Sequence, residues 1–149
     1  MIEKFAKKIG KNREKAFTKK FRNNKQKVLQ DSISYFDKIS LNGIDQIILI
    51  RGKSTKTPLL VFLHGGPGCS EMGLISYFNK ELEDHFIVAN WDQRGTCKSY
   101  DRKRFIKEHL SIDLLLDDLH ELILHLTKRF KKIKVYLLGH SFGTILGTL

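Results

Sequence analysis

The chain has 149 residues, 41% of them apolar and 29% charged, which are the proportions of one soluble globular domain. They exclude a wholly disordered chain, no apolar run reaches the length of a membrane span, and the N-terminus lacks the apolar region of a secretory signal. The formal charge of +11 is concentrated at one end, because residues 1–30 carry eleven Lys or Arg against two Glu, while residues 31–149 are close to neutral. Two cysteines, Cys69 and Cys97, do not form a C-x-x-C pair and read as free thiols, which predicts a cytoplasmic protein, at most peripheral to a membrane.

Taken in chain order, residues 1–30 form a basic leader in which Ile2, Phe5 and Ile9, then Phe17, Phe21 and Val28, recur at helical intervals. Gly10 and Asn23-Asn24 interrupt that pattern. Two readings stay open: a solvated or loosely docked tail, and an amphipathic segment making weak contact with an anionic membrane or with nucleic acid. No specific protein partner is inferred.

Residues 31–149 read as an α/β core. Ile33 to Leu41 alternates with period two, Asn42-Gly43 supplies a type I′ turn, and Ile44 to Ile50 is the returning strand. Leu59 to Leu63 is wholly apolar, as strands covered on both faces are, and ends in His64-Gly65-Gly66-Pro67-Gly68. The spacing then predicts a helix carrying Leu74, Ile75, Phe78 and Leu82 on one face, and a strand from Phe86 to Ala89 that ends at Trp91-Asp92. Ser111 is placed to cap a long amphipathic helix whose apolar residues Ile112, Leu115, Leu116, Leu119, Leu122, Ile123, Leu126 and Phe130 recur at three and four, and which ends among Lys128, Arg129, Lys131 and Lys132. Ile133 to Leu138 is a third apolar strand, followed at once by Gly139-His140-Ser141-Phe142-Gly143. Strands alternating with helices imply a mostly parallel sheet with helices on both faces.

In such sheets the ligand site lies beyond the carboxyl ends of the strands, and each apolar strand here ends in an unusual loop. The last loop fits G-x-S-x-G, in which a sharp strand-to-helix turn exposes the hydroxyl of Ser141 and needs small residues at Gly139 and Gly143. Serine attack on a carbonyl creates an oxyanion, which calls for a base and two preorganised N–H donors. The N–H of Phe142 is one candidate donor, and Gly66, with Gly65 as the alternative, is the other.

HGGPG, WDQRG and GHSFG, each after a strand and in that order, resemble the α/β-hydrolase fold and, within it, the proline iminopeptidase-like branch of serine peptidases. The resemblance covers about Ile33 to Leu149. It implies the N-terminal part of that fold, with Ser141 as nucleophile and Phe142 with Gly66 (or Gly65) as oxyanion hole. His64, Gly68, Asp92, Arg94, Gly95, Gly139, His140 and Gly143 would shape the site, and neither a metal nor an organic cofactor is expected. The implied activity is a serine hydrolase acting through an acyl-enzyme on a peptide or small acyl substrate, either an aminopeptidase releasing an N-terminal residue such as proline or a carboxylesterase or lipase.

The sequence departs from the family in several places. Cys69 follows HGGPG, Cys97 stands where the family usually reads glycine, and Phe142 replaces a usual tryptophan. Cys97 reads either as a harmless buried thiol or as the source of a disturbed loop. After Ser141 only eight residues follow, with no acid and no histidine, although the triad order is serine, acid, histidine. His85, His109, His120 and His125 read as surface or structural residues. The expectation is therefore a fragment or a short product that is inactive alone and has an open apolar edge at its last strand. The rival from another class is a non-catalytic protein that binds membrane or nucleic acid through its leader.

Overall fold

The computed structural model describes residues 14–101 and 110–149. The predicted hairpin is present as β1 (Ile33–Leu41) and β2 (Ile44–Gly52), paired antiparallel with Leu41 opposite Ile44. Asn42 and Gly43 both have positive φ, 46° and 77°, as a type I′ turn requires. After β3 (Leu59–Leu63) come α1 (Met72–Phe78), α2 (Leu82–His85) and β4 (Ile87–Asp92). A short 3-10 turn at Cys97–Ser99 is followed by α3 (Ile112–Phe130), β5 (Val135–Gly139) and α4 (Phe142–Thr148).

The five strands make one sheet in the order β1-β2-β4-β3-β5, with β3 parallel to both β4 and β5 and β2 antiparallel to β4. This is the α/β architecture that the alternating elements predict. Residues of β3 point alternately to two faces. Leu59, Val61 and Leu63 join Ile48, Ile50, Ala89 and Trp91 under Leu115, Leu119, Leu122 and Leu126 of α3 and Leu146 of α4. On the other face Leu60, Phe62 and Val88 pack against Ile75, Leu82 and Phe86. The cap of α3 forms as expected, with Ser111 Oγ accepting from the Leu114 N–H at 3.2 Å, and Lys131 closes the helix in the left-handed region.

Three local readings are corrected. The helix expected to carry Leu74 through Leu82 on one face is two helices broken at Asn79, so Ile75 and Leu82 are packed while Leu74 and Phe78 stand 56% and 69% exposed. The last strand begins at Val135, not Ile133, because Lys131 turns the chain left-handed and leaves Ile133 in solvent. The leader's helical pattern does not run on to Val28. Residues 14–17 make a helical turn, then the Asn23 side chain accepts from the N–H groups of Lys25 and Lys27, offering the backbone an alternative to helix, and Arg22 bridges Val28. Ile2, Phe5 and Ile9 lie outside the described residues.

The described part of the leader lies against the body. The Phe17 ring meets Phe36 edge-on at 6.5 Å, and its carbonyl accepts from Arg51 and from Ser34 Oγ. Arg51 stacks over the Phe21 ring and forms a two-point pair with the buried carboxylate of Glu83. Among the described residues, no helix is long and apolar enough to cross a membrane.

Candidate active site

Adjacent parallel strands β3 and β5 end side by side, with Leu63 paired to Gly139, so the loops that follow them meet. The His140 N–H continues the ladder to the Leu63 carbonyl at 3.0 Å, and the chain then reverses at Ser141, whose φ of 51° and ψ of −119° are forbidding for a side-chain-bearing residue. Gly143 makes the reversal possible. A Cβ there would collide with the Leu63 and His64 carbonyls, and one on Gly139 would collide with the Gly143 carbonyl. The sharp strand-to-helix turn inferred from G-x-S-x-G is thus the observed backbone.

Gly65 lies against this turn. A Cβ on Gly65 would stand 3.1 Å from Ser141 Cβ and 3.4 Å from His140 Nδ1, so HGGPG and GHSFG face each other. Gly66 and Gly68 have φ of 119° and 90°, and Gly66-Pro67 is cis. Phe142 opens α4, where its N–H has no carbonyl four residues back within the helix.

The two histidines of these loops are both engaged. His64 is buried, its Nδ1 2.8 Å from the Gly65 carbonyl and its Nε2 accepting from the Gln93 N–H at 3.1 Å. His140 is largely exposed and holds the Glu71 carboxylate at 2.7 Å through Nδ1. Of the remaining histidines, His85 ends α2, His120 and His125 sit on the exposed side of α3, and His109 lies outside the described residues. No cluster of three or more His, Cys, Asp or Glu is placed to hold a metal ion among the described residues.

The WDQRG segment divides between two environments. Asp92 is buried at the end of β4, accepting from Ser70 Oγ and from the Lys98 N–H. Burial pushes its carboxyl above the usual carboxylate range, and those two hydrogen bonds and the charge of Lys98 oppose the shift. Arg94 is buried away from solvent and forks onto Asp118 of α3 at 2.8 Å through both Nε and Nη2. Asp118 also accepts from Gln46 Nε2 at 2.6 Å and Asn42 Nδ2 at 2.9 Å, and Gln46 in turn accepts from the Trp91 indole at 2.8 Å. Gly95, with φ of 74°, turns the chain out of this network.

Cys97 is corrected from a buried thiol to an exposed one, and it does occupy the left-handed region, with φ of 37°. The loop takes it by tightening into the 3-10 turn, where Ser99 Oγ donates to the Asp92 carbonyl at 2.6 Å. Sequence reasoning missed Asp118, Gln46 and Glu71. A lone acid inside the apolar stripe Leu115, Leu119, Leu122 was the available signal for Asp118. Glu71 gave none, since its partner lies 69 positions along the chain.

Comparison with known proteins bears on the fold and the family. Residues 54–149 match a family model described as serine aminopeptidase, S33. A probable aminopeptidase of Bacillus subtilis strain 168, YbaC, is 41% identical over 115 residues, which are 77% of this chain and 36% of that protein. A proline iminopeptidase-related protein from Thermus thermophilus superposes with a TM-score of 0.61 at 25% identity, over 77% of this chain and 39% of the other. A 2-hydroxy-6-oxo-6-phenylhexa-2,4-dienoate hydrolase from a Rhodococcus strain shares the fold, with a TM-score of 0.60 at 22% identity, over 78% of this chain and 41% of that one. The chain thus spans well under half the length of each of these relatives.

Proposed function

The chain belongs to the serine aminopeptidase S33 family of α/β-hydrolases, and we propose that Ser141 is the nucleophile of an aminopeptidase that works through an acyl-enzyme. In that reading Ser141 Oγ attacks the carbonyl carbon of the first peptide bond while a base takes its proton. The tetrahedral oxyanion is held by the N–H groups of Phe142 and of Gly66, with Gly65 as the alternative donor. The C–N bond then breaks, the departing amine takes the proton, and water hydrolyses the acyl ester and restores the hydroxyl. The observation that carries the reading is the backbone at Ser141: a left-handed turn between β5 and α4, backed by two glycines that tolerate no Cβ and faced by Gly65.

Among the described residues, no histidine is placed to act as that base. Both nitrogens of His64 are occupied, and His140 is turned to Glu71. The proposal therefore takes the proton acceptor from outside the described residues, which by themselves are expected to be inactive. Release of an N-terminal proline is the favoured substrate assignment, supported by likeness to the Thermus thermophilus protein, and cleavage of small acyl esters is the second reading.

A fluorophosphonate probe applied to the natural protein tests the nucleophile. Labelling should occur in the parent and disappear in Ser141→Ala, and equal labelling of the two would remove Ser141 from the mechanism. Turnover of a proline anilide well above that of a short acyl ester supports the peptidase assignment, and the reverse order overturns it.

A further inference from the structure

We propose that the leader and α1 together form a docking surface for an anionic lipid bilayer, separate from any reaction at Ser141. The described part of the leader does not stand free of the body. Its residues run along α1, with Ala16 and Phe17 sharing a cleft of about 420 Å³ with Met72 and Gly73, and Phe21 sharing the next one with Ser76 and Lys80. Phe17 lies close enough to α1 that a Cβ on Gly73 would meet its ring at 3.7 Å.

That seating brings two unlike surfaces together. The leader's Lys15, Lys19, Lys20, Arg22, Lys25 and Lys27 are all exposed, and the one acid among residues 14–28, Glu14, is paired with Lys98. Beside them, the face of α1 next to the one that meets the leader presents Leu74, Tyr77 and Phe78, which are 56%, 73% and 69% exposed, with the two rings stacked edge-on at 4.9 Å. Of the acids near the end of α1, Glu83 is paired with Arg51 and Asp84 with Lys53, which leaves exposed Glu81 beside Phe21 against the six cations of the leader.

Three large apolar side chains on one short helix, flanked by six cations and two aromatic rings already anchored to the body, match the chemistry of an interface. The rings enter the headgroup region and the lysines meet lipid phosphates. Nucleic acid would explain the cations but leaves exposed Leu74 and Phe78 without a purpose. The charge complementarity and the apolar wedge together favour the bilayer.

Flotation of the purified chain with vesicles tests this, because aggregated protein sinks and bound protein rises. The chain should float with phosphatidylcholine vesicles containing about 30% phosphatidylglycerol at about 100 mM salt, and not with phosphatidylcholine alone. Tyr77→Ser with Phe78→Ser should lower partitioning at least about tenfold, as should Lys19→Gln, Lys20→Gln and Lys25→Gln together, while Leu124→Ser, on an exposed apolar residue of α3, should leave it unchanged. Failure to float overturns the proposal, and so does equal flotation of the aromatic variant. Binding of single-stranded RNA that survives the aromatic substitutions, without flotation, would reassign the cations, and a concentration-dependent dimer abolished by them would reassign the rings.

Discussion

Strands β3 and β5 are neighbours of the same length and near-identical composition, yet they end in opposite conditions. Every residue of β3 is buried, whereas Tyr136, Leu137 and Leu138 of β5 are 53%, 38% and 39% exposed. The difference is one of neighbours. β3 has a strand on each side and helices on each face, while β5 has β3 on one side and α4 beneath it. An apolar pentapeptide therefore says that cover is needed and not whether it is present. The half of the sheet that carries the buried network is closed by its own residues, and the half that carries Ser141 is the one with its apolar surface still open.

The sharpest way to break that contrast is to strike the closed half at its centre. Asp118→Ala strips Arg94 of its two-point carboxylate and leaves Gln46 and Asn42 short of an acceptor, so urea unfolding should show a loss of about 3–5 kcal/mol. A loss under about 1 kcal/mol would mean that the network is not what holds this half together.

A smaller and pH-dependent effect is expected at Asp92. Its folded carboxyl is raised by burial, so its contribution to stability is fully present below the unfolded value of about 3.9 and is lost as the pH rises through the folded value. Asp92→Asn, which keeps an oxygen to accept from the Lys98 N–H and presents its amide NH2 to Ser70 Oγ, a hydroxyl able to accept, should be insensitive to this titration. The stability difference between variant and parent should therefore move in the variant's favour from about pH 4 to pH 7. A difference that stays flat would show that the hydrogen bonds fully offset the burial.

The open half should hardly respond. Leu138→Ser removes an apolar side chain that is already part exposed, so stability in urea should fall by less than about 0.5 kcal/mol while solubility rises. A loss as large as that at Asp118 would place Leu138 in a core and abolish the comparison.

What could be read from the residues alone follows from the range of the interactions. The hairpin, the capped α3 and the order of strands and helices were legible because Asn42-Gly43, Ser111 and the apolar periods act within a few residues of themselves. The turn at Ser141 was legible because its pattern is local, Gly139 being needed beside the Gly143 carbonyl, although Gly143 itself is needed beside the distant Leu63 and His64 carbonyls. The break at Asn79 escaped because Leu74 and Phe78 share the helical period of packed residues without being packed, and period does not reveal which face finds a partner. Long-range polar pairs escaped entirely. Arg51 with Glu83 and His140 with Glu71 join residues 32 and 69 positions apart, and nothing in either neighbourhood names the other.

The chain's sole tryptophan is Trp91, fully enclosed, with its indole N–H tied to Gln46 and through it to Asp118. Its emission is therefore a built-in optical gauge of one side of the sheet. Water reaching the network shifts that emission to longer wavelength, whereas changes around Tyr136 and Leu138 pass unseen. A fluorescence melt of this chain follows one half of the sheet and a circular-dichroism melt its whole backbone, so a gap between their midpoints is a readout of how independently the two halves come apart.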